Sequence, residues 1–297
     1  MEKPRVLHFV TPLARVSPFD VNMAYDSGFV VAGYTGVELK DVAGLTQDAM
    51  FSRVPQDAPK TVLFIGGRDA MLALDMEDAA KKAMFPPFLI SVFVDPSGAF
   101  TTAAAMVAVV ERHLAARGGS LERAHVAVFG AKGVVGGIVG VIAAEAGAKV
   151  TLVGYDNTEI VPRKAEEFQR RFGHPFAAMD GSTEEGRRAA LADAEIVLVA
   201  GRAGTQVLAR SELAAARRLK IVADLNAVPP AGVEGVAADA DGMPFGDGAV
   251  AVGALAIGNV KFRVQRTLLR RLHDAATVQC IDYREAFQVA REIVAGA

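Results

Sequence analysis

Short apolar runs alternate along the chain with longer stretches in which apolar residues recur every three or four positions. The runs at 6–10, 29–33, 61–65 and 88–94 are dense in Val, Phe, Leu and Ile, and read as strands of a sheet covered on its faces. Between them the pattern turns helical. Ser17 is placed to cap a helix whose first position is Pro18, where a missing N–H costs nothing, and Phe19, Met23 and Tyr25 are expected to face a core. Further helices are expected over 41–51, 70–84 and 101–116, the last opened by Thr101-Thr102. Strand, loop and helix repeated in this way predict a parallel or mostly parallel sheet, whose ligands bind at the carboxyl ends of the strands. The unusual loops fall at those ends, over 11–20, 66–69 and 95–102.

Arg117-Gly-Gly-Ser120 punctuates the chain, and the pattern then starts again. Strands are expected at 126–129, 149–156, 176–179, 196–200 and 221–224, with a polar helix over 158–172. The apolar segment 249–258 reads as a final strand leading into a helix over 259–273, and an amphipathic helix over 282–295 closes the sequence. The predicted class is α/β: two α/β domains, the second a Rossmann-type dinucleotide-binding domain. The first spans 1–118 and is joined by C-terminal helices over 274–297; the second spans 119–273.

Composition narrows the function. Lys+Arg (32) nearly balance Asp+Glu (34) and are dispersed, so no nucleic-acid footprint is visible. A single cysteine, Cys280, excludes an intramolecular disulfide and a multi-thiolate metal site, and fits a reducing, cytoplasmic location. The first apolar run is too brief for a signal peptide or membrane span, and no other segment qualifies.

The chemistry is carried first by Val126-Ala-Val-Phe-Gly-Ala-Lys-Gly-Val-Val-Gly136. A buried strand runs into Gly130, Gly133 and Gly136, and a helix begins near Gly133. Such a turn lets backbone N–H groups approach a pyrophosphate at a helix N-terminus. The fit to G-x-G-x-x-G is imperfect, since Ala131 takes the first position if Gly133 and Gly136 are the second and third. Asp156, about 20 positions beyond the last glycine and at the end of the next strand, is where a carboxylate meets the ribose. The candidate cofactor residues are therefore Gly130, Ala131, Lys132, Gly133, Val134, Val135 and Gly136, then Tyr155 and Asp156, Ala200 and Gly201 at a further strand end, and Asn226. No nucleophile elbow, paired-carboxylate signature or metal-ligand cluster is present in the sequence.

Several loops together resemble one family, the bacterial NAD(P)-dependent methylene-tetrahydromethanopterin dehydrogenases and their methylene-tetrahydrofolate relatives. The resemblance is carried by Thr11-Pro-Leu, Ser17-Pro-Phe-Asp-Val-Asn-Met23, Leu45-Thr-Gln-Asp48 and Phe64-Ile-Gly-Gly67. It continues through Asp95-Pro-Ser-Gly98 with Thr101-Thr102, Asp224-Leu-Asn-Ala-Val-Pro-Pro-Ala-Gly232 and Gly253-Ala-Leu-Ala-Ile-Gly-Asn-Val-Lys261. These segments span almost the whole chain in matching order. The resemblance implies two α/β domains with an active-site cleft between them, a homo-oligomer, a pterin co-substrate, and a place in formaldehyde oxidation and methylotrophy. Its reaction moves a hydride from the methylene carbon to NAD or NADP and leaves a methenyl cation stabilised by the flanking nitrogens. No proton need move, so the protein chiefly positions two rings and excludes water. Methylene-tetrahydrofolate as substrate, and a pterin or dinucleotide carrier without turnover, are the alternatives.

By the same resemblance Asp20 and Lys261 are candidate catalytic residues, and Phe19, Asp20, Asp95, Thr101, Thr102 and Lys261 bind the pterin. Each has a structural alternative: Asp20 as a first-turn carboxylate, Lys261 as a surface lysine, Thr101 and Thr102 as caps, Asn226 with Pro229-Pro230 as a rigid connector. The five histidines show no spacing that suggests a site. NADP-specific relatives carry an arginine directly after the glycine that ends the second strand, whereas Tyr155 and Asp156 follow Gly154 here. Asp156 suits the ribose hydroxyls of NAD, while Lys132, Arg163 and Lys164 offer compensating charge, so use of both nucleotides is expected.

Overall fold

The computed structural model describes residues 3–156 and 159–296. Its first sheet is built from β1 (Val6–Val10), β2 (Val30–Tyr34), β3 (Thr61–Ile65) and β4 (Ser91–Val94). The intervening helices are α1 (Pro18–Asp26), α2 (Val42–Phe51) and α3 (Ala70–Ala83), and α4 (Ala99–Ala115) follows β4. Every residue of β3 and β4 is buried, as parallel strands covered on both faces must be. The register aligns Val10 with Tyr34 and Ile65, and Ile65 with Val94. The loops that follow these four strands therefore leave one edge of the sheet together.

Three expectations need correction here. The Ser17 hydroxyl caps α1 by accepting from the Asp20 N–H at 3.3 Å, but the face turned inward carries Asp20, Met23 and Ala24. Phe19 and Tyr25 are 47% and 54% exposed. The cap fixes the helical phase, and the i, i+3, i+4 face it selects begins at the carboxylate. Second, α4 starts at Ala99 rather than Thr101, because the Asp95 carboxylate accepts the Phe100 and Thr101 N–H groups and takes the capping role. Third, β4 is shorter than the run 88–94: Pro86-Pro87 sits in a tight turn bridged by Phe85 and Phe88, and the chain joins the sheet only at Ser91.

The second sheet contains β5 (His125–Phe129), β6 (Lys149–Gly154), β7 (Phe176–Asp180), β8 (Ile196–Val199), β9 (Ile221–Asp224), β10 (Asp241–Phe245) and β11 (Ala249–Val252). Its helices are α5 (Val134–Glu145), α6 (Ile160–Phe172), α7 (Glu184–Leu191), the single turn α8 (Arg210–Leu213) and α9 (Ala254–Asp274). The strand order is β10-β11-β9-β8-β5-β6-β7, parallel except for β10. The order reverses between β5 and β8, the point at which such sheets bind ligands. Thr158, the expected start of the polar helix, lies outside the described residues. Helix α9 begins five residues before the expected 259, because a short run of small apolar residues fits a buried helical turn as well as a strand.

The chain then returns to the first sheet. β12 (Cys280–Ile281) pairs in parallel with β4, giving the order β12-β4-β3-β1-β2, and α10 (Tyr283–Ala295) follows. By packing, one compact unit is Met1–Thr101 with Phe262–Val289 and the other Thr102–Lys261 with Ala290–Ala297. Those divisions fall inside helices, whereas the expected boundary lay at the 117–120 turn. Among the described residues, no helix is long and apolar enough to cross a membrane.

Candidate functional site

In the second unit, the carboxyl ends of β5, β6 and β8 border a pocket of about 490 Å³. Gly130, Lys132, Gly133, Val134 and Val135 line it from the turn, Tyr155 and Asp156 from the end of β6, and Ala200 and Gly201 from the end of β8. The turn is forced by its glycines. Gly130 has φ +85°, and a Cβ there would run into the Ala200 carbonyl. A Cβ on Gly136 would strike the Gly130 carbonyl, so the helix can sit this close to the strand only as glycine. The working fingerprint is thus G-x-x-G-x-x-G: Gly130 makes the turn, not Ala131, which is buried behind it. Gly133 is the N-cap of α5 and supplies no side-chain cap, leaving the first N–H groups of the helix available to an anion. An open helix terminus, a cradle that any Cβ would fill and a carboxylate at the end of the next strand fit a dinucleotide.

The remaining polar groups of the pocket are organised. Lys132 Nζ lies 2.7 Å from Asp156 Oδ2. The Tyr155 hydroxyl accepts from the Arg202 N–H at 2.8 Å, tying the end of β6 to the loop after β8. Asn226 is buried; its Oδ1 accepts from the Gly204 and Val228 N–H groups and its Nδ2 donates to the Pro230 carbonyl, so it shapes the loops around it. Asp224, also buried, accepts from the Asn226 and Val233 N–H groups, and burial pushes its carboxyl above the usual range. Arg202 lines the pocket and was not anticipated; its only sequence signal is its position two residues past the strand-end alanine.

In the first unit, two of the loops at the strand ends are bound to each other and a third passes beside them. Ser97, at φ +54°, donates its hydroxyl to the Gly67 carbonyl at 2.6 Å, and Gly67 passes beside Pro12. Asp95 and Thr101 are wholly buried, and the Thr101 hydroxyl donates to Asp95 Oδ2 at 2.7 Å. They brace the loop from within; Thr102, where the second unit begins, is half-buried. Phe19 stands exposed at the start of α1. Asp20 is 4% exposed, and Gln265 on α9 donates to its Oδ1 at 2.6 Å. Gln265 was missed by sequence reasoning, although a glutamine on the apolar face that holds Val264 and Leu268 is a visible anomaly. Lys261, the last residue of the second unit on α9, is half-buried. Three of the histidines have other occupations: His8 pairs with Tyr34 at 3.1 Å and is held below the usual range by burial and by Arg53, while His113 contacts Asp241 and His273 contacts Asp274. Burial pushes the Cys280 thiol up, away from thiolate chemistry.

Residues 18–97 match the family described as methylene-tetrahydromethanopterin dehydrogenase, N-terminal. Over 291 residues the chain is 48% identical to the NAD(P)-dependent methylenetetrahydromethanopterin dehydrogenase of Methylorubrum extorquens, covering 97% of this chain and 98% of that protein. It is 31% identical over 294 residues to the bifunctional protein MdtA of the same organism, covering 99% of this chain and all (100%) of that one. Among solved structures, the shikimate 5-dehydrogenase of Listeria monocytogenes shares the fold with a TM-score of 0.52 at 13% identity, over 91% of each chain.

Proposed function

The chain belongs to the methylene-tetrahydromethanopterin dehydrogenase family, and from that premise we propose that it oxidises methylene-tetrahydromethanopterin to the methenyl form with NAD or NADP as hydride acceptor. The observation that carries the pterin reading is the family match over 18–97, because it contains Asp20, the 66–69 loop and Asp95 with Ser97. The nicotinamide, when bound, supplies the hydride-accepting carbon. The G-x-x-G-x-x-G turn and the open end of α5 would hold the pyrophosphate of the dinucleotide, and Asp156 would meet its ribose.

The side chains position rather than react. Asp20 accepts hydrogen bonds from the amino-pyrimidine edge, where adjacent donors match a carboxylate, and Phe19 offers an apolar surface to the rings. Thr102 contacts the pterin; Asp95 and Thr101 keep the loop rigid. Lys261 donates to the pyrimidinone carbonyl. Positive charge grows on the pterin as the hydride leaves, so an ammonium beside the reacting nitrogens would oppose the step. The protein acts in the cytoplasm as a homo-oligomer.

Purified protein mixed with each pterin and each nicotinamide, followed at the absorbance of the reduced nicotinamide, tests the reading. Turnover with methylene-tetrahydromethanopterin is expected. Turnover with the folate alone would move the assignment to the alternative substrate, and binding without turnover would make the protein a carrier. Sedimentation at micromolar concentration checks the assembly.

A further inference from the structure

We propose that Lys132 decides how the enzyme divides its use between NAD and NADP, as a counter-ion exchanged between the Asp156 carboxylate and the 2′-phosphate. The inference rests on the dinucleotide reading of the pocket and assigns a discriminating residue within it. Asp156 alone, at the end of β6, favours ribose hydroxyls and repels a phosphate at the same place. It is not alone: Lys132, from the glycine turn, lies 2.7 Å away. Paired, the two present little net charge. The carboxylate keeps a second oxygen for hydroxyls, and the ammonium keeps donors that a phosphate can take up.

The pair is also free to rearrange. The side chains of Lys132 and Asp156 are 32% and 54% exposed, and an ion pair in such surroundings contributes little to stability. Exchanging a carboxylate for a doubly charged phosphate is then favourable for the ammonium, whereas a buried pair would resist. Lys132 sits between Gly130 and Gly133, whose geometry is fixed by backbone contacts, so the anchor of the side chain does not move while its head does.

The test measures binding rather than turnover: calorimetric titration of the full chain with NAD+ and with NADP+, for the wild type, Lys132→Met, Lys132→Arg, Asp156→Asn and the Lys132→Met/Asp156→Asn double variant. Lys132→Met is expected to weaken NADP+ relative to NAD+ by about tenfold or more. Lys132→Arg should keep the wild-type ratio. Asp156→Asn should shift the ratio toward NADP+, and in that background Lys132→Met should lose less selectivity, because the repulsion that the lysine offsets is gone. The wild-type ratio should also fall for NADP+ as salt rises. Equal weakening of both nucleotides by Lys132→Met would assign the lysine to the shared pyrophosphate and overturn the proposal, as would an unchanged ratio. A wild type that binds neither nucleotide would instead overturn the dinucleotide reading, and the inference with it.

Discussion

Asp20 is a carboxylate on the inward face of a nine-residue helix, and Gln265 gives it a donor at 2.6 Å. Asp20→Ala is expected to weaken pterin use while leaving dinucleotide binding nearly intact, with a loss on the order of 1.5–3 kcal/mol, or about one to two decades. Equal loss of both ligands would show that Asp20 supports the fold instead. Gln265→Leu should act in the same direction and raise KM for the pterin more than it lowers kcat, since the carboxylate survives but loses an orienting donor. Lys261→Met removes a donor without removing a base: turnover should fall through poorer pterin placement, with no pH step gained or lost in the single-turnover rate. A step present in the wild type and absent from the variant would assign Lys261 a proton. The glycines of the turn give a graded comparison. Gly130→Ala combines a left-handed φ with a collision against the Ala200 carbonyl, so nucleotide affinity should collapse; Gly133→Ala, at φ −73° with its nearest contact at 3.3 Å, should be far milder. Comparable titrations for the two variants would contradict that geometry.

At the scale of elements, α10 is held by a reciprocal cap: Asp282 Oδ1 accepts from the Arg284 N–H at 2.6 Å, and Glu285 Oε2 accepts from the Asp282 N–H at 2.9 Å. Burial raises the Asp282 carboxyl from 3.8 to about 7, against the Arg284 N–H and guanidinium, with Glu285 and Glu77 adding repulsion. The folded chain therefore keeps a proton that the unfolded chain gives up near 3.8, and stability declines as pH rises from there to about 7. Asp282→Asn keeps the acceptor and loses the charge, so its stability advantage should grow across that window to something on the order of 2–4 kcal/mol. Urea unfolding at several pH values checks it; a constant difference would be inconsistent with a buried proton. Elements like β3 and β5 were legible because covered parallel strands leave continuous apolar runs. The same physics hid others. β10 carries Gly242 and Pro244 on an antiparallel edge, and β12 is two residues long, so neither has a period to read. The dinucleotide pocket was legible because backbone approach demands glycine at fixed spacing. Gln265 was not, because its partner lies 245 positions away and only tertiary packing joins them.

For the whole molecule, the first sheet, flanked by the helix of Asp20 and ending in the loop of Asp95, is completed by residues from near the other end of the chain, β12 against β4. A fragment ending at residue 118 should therefore aggregate or remain unfolded, since it lacks both β12 and the α9 residues that pack on α1. A monomeric fragment with a cooperative melt would refute this. The same pairing has a consequence during translation. Everything between Val94 and Cys280 must be synthesised before β4 meets its last neighbour, a delay on the order of 10–40 s at ordinary ribosomal rates. During that interval the nascent chain carries an open strand edge, a template for pairing with other chains on the same polysome. The second sheet, contiguous in sequence, emerges complete while the first still waits.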